Sequence, residues 1–142
     1  MKNRVKFQFI DYIPEYIDEG TIYISLEYNT AVHKCMCGCG NEVVTPISPS
    51  GWSIKYDGES ISLDPSIGNW SYECQSHYWI KESMVVESYQ FSDEEIIANR
   101  KSDKNRVDKI FQSQDRTSFF IKTKQLLNVF IEFLKRIANL GN

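Results

Sequence analysis

Nowhere does the chain carry an uninterrupted apolar run of the length a membrane-spanning helix needs, roughly 20 residues. The start, Met1-Lys2-Asn3-Arg4, is basic, but Gln8, Asp11, Glu15, Asp18 and Glu19 interrupt the stretch after it. No apolar signal segment is therefore expected, and the chain reads as cytoplasmic, without a membrane partner. Surplus positive charge is also missing: 16 Lys and Arg face 19 Asp and Glu, a net charge of −3. Phosphate backbones demand clustered cations, so nucleic acid is not an expected partner. Acidic substrates and anionic membrane surfaces are disfavoured for the same reason. Cysteine is scarce as well, at four residues. With 42% hydrophobic and 13% aromatic residues in 142, the chain can bury a core without disulfides.

Proline, tryptophan and glycine are absent from most of the C-terminal third. Residues 1–91 hold all four prolines, all three tryptophans and six of the seven glycines. This part reads as short strands and turns. Val5–Phe9 and Thr21–Leu26 alternate with the period-2 pattern of half-buried strands. Trp52–Tyr56, Asp57-Gly58 and Ser60–Leu63 read as a hairpin, the Asp-Gly pair suiting its turn. Beyond Phe91 the period changes. Ser92-Asp93-Glu94-Glu95 is a capping box that opens a helix. Residues 99–106 are almost entirely polar, and a second helix is expected from near Ser118 to Gly141. Its stripe comprises Leu127, Phe130, Ile131, Leu134, Ile137 and Ala138. The expected fold is α+β: a β-rich metal-binding domain over 1–91, then a helical segment of two helices over 92–142.

The scarce cysteines and histidines are not scattered. All four cysteines and both histidines fall in His33-x-Cys35-x-Cys37-Gly38-Cys39-Gly40 and in Cys74-x-x-His77. Thiolate and imidazole are the ligands zinc prefers, four of them in a structural site. Gly38 and Gly40 free the backbone to curl around an ion. Three thiols in a glycine-rich turn pack poorly in a core and chelate well, whereas a lone thiol or a lone His77 beside Tyr78 and Trp79 reads as ordinary core. The expected site takes Cys74 and His77 with two of Cys35, Cys37 and Cys39, binding one Zn2+ per chain. The remaining cysteine supports that set or exchanges into it. His33, on an apparent strand, is the weakest candidate ligand. Iron competes through a Rieske-like set of two Cys and two His, although the order His-then-Cys at 33–35 is reversed for that site. Thiol redox chemistry is a further alternative, disfavoured because Cys-x-x-Cys is missing.

Familiar catalytic signatures are also missing. There is no H-E-x-x-H helix, no deaminase pattern, no P-loop and no dinucleotide fingerprint. Glu42 and Glu73 flank the metal segments and offer general bases for a zinc hydrolase, a peptidase or isopeptidase. Thiolate-rich ligation lowers Lewis acidity, so both read as surface charges. Serines abound near turns at 48, 50, 66 and 76, but no G-x-S-x-G elbow marks a nucleophile. No catalytic residue is assigned. Trp52, Trp70, Tyr72, Tyr78 and Trp79 supply an apolar shell or plain core. Leu126, Phe133 and Leu140 lie beside the helical stripe and offer a docking face for a protein partner or a second copy.

Together these residues resemble a known family. The run Ala31–Gly40, then Val43-Val44-Thr45-Pro46, Trp52, Asp57-Gly58, Ser62-Leu63, Pro65–Trp70 and Cys74–Ile80 is similar to a bacterial family of small metal-binding proteins. The resemblance covers roughly residues 10–90. Some members are encoded beside bacterial ubiquitin-like modifiers and their conjugating enzymes. It implies a zinc-binding accessory protein, an adaptor or ligase-like factor of a conjugation or defence system, with protein partners from that pathway. Metal roles carry over to Cys35, Cys37, Cys39, Cys74 and His77. Residues after 91 lie outside it.

Overall fold

The computed structural model describes residues 4–139, apart from the side chains of Ser118, Val129, Phe130 and residues 132–139. The chain divides into two compact units, Met1–Arg100 and Lys101–Asn142. The fold is α+β, a β-rich N-terminal part followed by a helix.

Among the described residues, eight strands build the first unit. Strands β1 (Lys6–Phe9), β2 (Thr21–Ser25), β3 (Thr30–Lys34) and β4 (Glu42–Pro46) form one sheet in that order. The second contains β5 (Ser53–Tyr56), β6 (Ile61–Gly68), β7 (His77–Lys81) and β8 (Met84–Glu87). Only β1 and β2 pair in parallel; every other neighbouring pair is antiparallel. Ile22, Ile24, Ala31 and Val43 from the first sheet join Ile61, Leu63, Ile67, Tyr78 and Ile80 from the second in one core. Burying such branched side chains between two sheets supplies the main driving force, about 1.5–3 kcal/mol for each fully buried one.

Strand β2 is buried at all five positions rather than at alternate ones. Its far face is covered by Ile17, with Ile10 and Ile13 packed against Tyr23 and Val32. The β5–β6 hairpin forms as expected, with Tyr56 opposite Ile61. Gly58 takes the left-handed conformation, φ 100°, and the Asp57 carboxylate accepts from the N–H groups of Glu59 and Ser60. These bonds hold that carboxyl down at about 2.

Helix α1 (Asp93–Asn139) starts on the capping box. The Ser92 N–H donates to Glu95 Oε2 at 2.8 Å, and the Glu95 N–H donates to Ser92 Oγ at 3.3 Å. Where the sequence predicts two helices, residues 93–139 form one. The polar stretch contains no glycine or proline, so nothing in it breaks the ladder. Ser113, Thr117 and Thr123 direct their hydroxyls to carbonyls one turn back, which satisfies them within the helix. The expected stop at Gly141 and the docking residue Leu140 lie outside the described residues, as do the side chains of Phe130, Phe133, Leu134, Ile137 and Ala138. No helix among the described residues is long and apolar enough to cross a membrane.

Candidate functional site

Two polar centres form in the first unit. The loop between β3 and β4 carries Cys35, Cys37 and Cys39, and the loop between β6 and β7 carries Cys74. Gly38 and Gly40 both adopt positive φ, 86° and 79°, which curls the first loop tightly enough to turn its three thiols together. The Gly38 N–H donates to the Cys35 carbonyl, and the Cys35 N–H to the Asn41 carbonyl, closing the loop at its neck. All four Sγ atoms lie within 4.8 Å of one another. Cys35 and Cys37 are 3.3 Å apart, Cys39 and Cys74 3.6 Å, Cys35 and Cys74 4.0 Å. Four thiolates around a tetrahedral ion with Zn–S near 2.3 Å would sit about 3.8 Å apart. The observed spacings scatter around that value, so the cluster could hold a metal ion.

The thiols themselves register the crowding. Desolvation and the bond to Cys35 push Cys37 up to about 12. The main-chain N–H of Asn41 pulls Cys39 down to about 6. Four neighbouring thiolates repel one another, and a bound cation would offset that repulsion. All four cysteines are free.

Both histidines lie apart from this group. His33, fully buried on β3, brings Nε2 to within 3.0 Å of the Tyr78 hydroxyl, and its Nδ1 has no partner among the described residues. Burial lowers its pKa to about 4, so it is a neutral core residue at neutral pH. His77, the first residue of β7, also turns away from the thiols. Its Nδ1 lies 2.9 Å from the Tyr89 carbonyl oxygen, and its Nε2 lies 2.9 Å from Ser66 Oγ. A carbonyl oxygen only accepts, so Nδ1 carries the proton. The Nε2 lone pair therefore faces the serine hydroxyl, which donates to it. Four of the six sequence-assigned ligands thus come together as thiols, and two histidines do not join them. With the imidazoles elsewhere, the two-His set of a Rieske site is not formed.

Ser66 reaches His77 because β6 and β7 are ladder neighbours. Their register shifts between Leu63 and Ile67, and Gly68 pairs with His77. Pro65, which has no N–H to give the ladder, stands in the irregular stretch just before Ser66. The imidazole is enclosed by aromatic rings: Phe91 at 4.6 Å, Trp70 at 5.0 Å and Tyr89 at 6.2 Å between centroids. Trp70 stacks on Phe91 at 4.8 Å and 13°. Gly68 is required here, since any Cβ would run into the Trp70 indole. His77 is 8% exposed, and a cleft of about 370 Å³ lined by Cys37, Cys74, Ser76, Tyr78 and Glu87 reaches it.

The other candidates have ordinary places. Glu42 pairs with Lys34 at 3.0 Å on the surface, and Glu73 is exposed. Tyr72 and Trp52 pack against the core. Ser66 stands in no glycine-flanked elbow, so its local sequence does not mark it as a nucleophile. Here the serine meets its histidine across a strand pair, a relation that no local motif carries.

A two-sheet α+β protein with a four-thiol metal-type centre and a hydrogen-bonded serine–histidine pair is the class these features define. The chain matches the family model BubE, bacterial ubiquitination-like system serine protease, over residues 9–87, and belongs to that family. The match takes in all four cysteines and both Ser66 and His77. Comparison with curated proteins and with solved structures returns no match.

Proposed function

We propose that the protein is a serine hydrolase acting on peptide or isopeptide bonds in a bacterial ubiquitination-like system, with Ser66 as nucleophile and His77 as general base. The observation that carries this reading is the 2.9 Å contact from Ser66 Oγ to His77 Nε2, with Nδ1 held by the Tyr89 carbonyl. A nucleophile, a base and a group orienting the base make up the minimal acyl-transfer arrangement. The name of the matched family, a serine protease, agrees with it. In the first step His77 Nε2 takes the hydroxyl proton while Ser66 Oγ attacks the scissile carbonyl. The proton then passes to the departing amine as the C–N bond breaks, leaving an acyl ester on Ser66. Water, deprotonated by the same imidazole, hydrolyses that ester and restores the pair. The Tyr89 carbonyl stands where many such sites keep a carboxylate: it fixes the tautomer and steadies the imidazolium without bringing a full charge. The aromatic walls keep the ring in place and water away from it.

Cys35, Cys37, Cys39 and Cys74 would hold one zinc ion, which ties the β3–β4 loop to the β6–β7 loop and takes no part in the chemistry. A site closed by four thiolates is structural, whereas catalytic zinc keeps an open position. A zinc hydrolase using Glu42 or Glu73 is therefore the less supported form of the activity. A cytoplasmic location, where thiols stay reduced, suits the centre.

A second role as an interaction protein of that system is supported by the helix. Phe119, Phe120, Leu126 and Leu127 are each 58–71% exposed, an apolar surface a protein partner would cover. A second copy docking through the same helix is the competing occupant, and light scattering of the full chain separates the two.

The test of the hydrolase reading is cleavage of peptide-linked and isopeptide-linked ubiquitin-like conjugates, followed by intact mass. Cleavage by the metal-loaded protein and none by Ser66→Ala is expected. Equal cleavage by both would overturn it.

A further inference from the structure

We propose that Asn69 is a positioning residue for the Ser66–His77 pair and transmits the order of the four-thiol centre into it; this rests on the hydrolase reading above. Asn69 is 8% exposed and directly follows Gly68, the ladder partner of His77. Its backbone shapes the loop that carries Cys74. The Asn69 N–H donates to the Ser76 carbonyl at 2.9 Å, and its own carbonyl accepts from the Tyr72 N–H at 3.1 Å. Its side chain faces the thiols. Nδ2 lies 2.9 Å from Ser76 Oγ, 3.4 Å from Cys35 Sγ and 3.4 Å from the Tyr78 hydroxyl. Ser76 Oγ in turn lies 3.0 Å from Cys35 Sγ and 3.6 Å from Cys74 Sγ.

One buried amide thus meets a thiol of the β3–β4 loop and the residues on either side of His77, Ser76 and Tyr78. A thiolate held by a metal is a charged acceptor, and hydrogen bonds to it are stronger than those to a neutral thiol. Such a thiolate repels the amide oxygen and draws the amide nitrogen, which fixes the side chain one way round. With the amide fixed, Ser76 and the Gly68–His77 rung are fixed too. That rung closes the β6–β7 ladder at the loop end, so loosening of the loop is felt first at His77. A shift of about 1 Å in a catalytic group costs on the order of 10²-fold in rate. Asn69 makes no side-chain hydrogen bond to Ser66 or His77 among the described residues, so its influence passes through Ser76 and the strand end.

The experiment uses the full metal-loaded chain and a fluorophosphonate probe, which forms an Oγ–P bond on a base-activated serine as fluoride leaves. Metal content, chelator competition and far-UV circular dichroism are measured alongside. In Asn69→Ala the labelling rate at Ser66 is expected to fall about 10- to 100-fold with folding and metal content retained. Chelation of the native protein should lower labelling similarly, and chelation of Asn69→Ala should add little. Asn69→Asp, which keeps the shape but sets a carboxylate against the thiolates, should lose metal to a chelator more readily as well as label slowly. It supplies the readout if Asn69→Ala fails to fold. Labelling of Asn69→Ala at the native rate, or effects of the substitution and of chelation that multiply in full, would overturn the proposal. If the native protein is not labelled at Ser66 at all, the hydrolase reading itself fails. A weakened metal affinity in Asn69→Asp would then still report the amide–thiolate contact.

Discussion

The four-thiol centre and the Ser66–His77 pair lie on neighbouring loops and strands, yet they are held by opposite means. Cys37 and Cys39 are exposed, on a turn with two positive-φ glycines. His77 is buried on a strand against the stacked Trp70 and Phe91 rings, with both ring nitrogens bonded. An ion would lock the four sulfurs of such a turn together, whereas the ladder and the aromatic walls enclose the pair. On the proposed reading the difference divides the roles: a metal would organise the loops, and acid–base chemistry would belong to the strands.

Substitutions at the pair should separate the two centres most sharply. Ser66→Ala or His77→Ala should lower hydrolysis by at least about 10³-fold, as loss of a nucleophile or its base does, while elemental analysis still finds one metal per chain. A proportional loss of metal in His77→Ala would return that histidine to the thiol centre. Cys74→Ser should act on the metal first. Metal content and the cooperativity of unfolding should fall together, by several kcal/mol, roughly, because metal binding is folding free energy in such sites. Calorimetry with and without a chelator checks it, and an unchanged transition would show that the two loops need no metal.

A smaller effect is expected at His33. Its folded pKa of about 4 lies below the unfolded value near 6.5, so the unfolded chain binds the extra proton between those pH values. The stability it confers is complete above pH 6.5, roughly, and is lost as pH falls towards 4, by on the order of 3 kcal/mol at most. Denaturant midpoints for the native protein and His33→Gln should therefore converge as pH falls through that window. Parallel curves would mean that His33 titrates normally. The smallest effect belongs to the helix: Leu126→Glu, at a site 70% exposed, should change stability by no more than about 0.5 kcal/mol in thermal unfolding. A larger loss would reveal a packed surface there.

How legible each feature was in the sequence depends on the range over which it is encoded. The Ser92–Glu95 box and the Gly38–Gly40 turn are local, and both were readable because residue type and spacing alone set their geometry. The helix was half readable. Its polar centre looked like a break, but only a residue that removes or strains the ladder breaks a helix, and none is present. The Cys74-x-x-His77 spacing points His77 at the metal. Gln75, at φ 42°, turns the chain between them, and β7 then aims the imidazole at Ser66 instead. Ser66 itself was unreadable as a nucleophile. It stands eleven residues from its base, and their meeting depends on a register shift that strand patterning leaves open.

The most direct test of this account is the mass of the metal-loaded protein after treatment with a fluorophosphonate, with the adduct located by peptide mapping. One adduct per chain on Ser66, lost in His77→Ala while the metal stays bound, is the predicted result. No adduct, or one on Ser66 that forms equally well without His77, would contradict it.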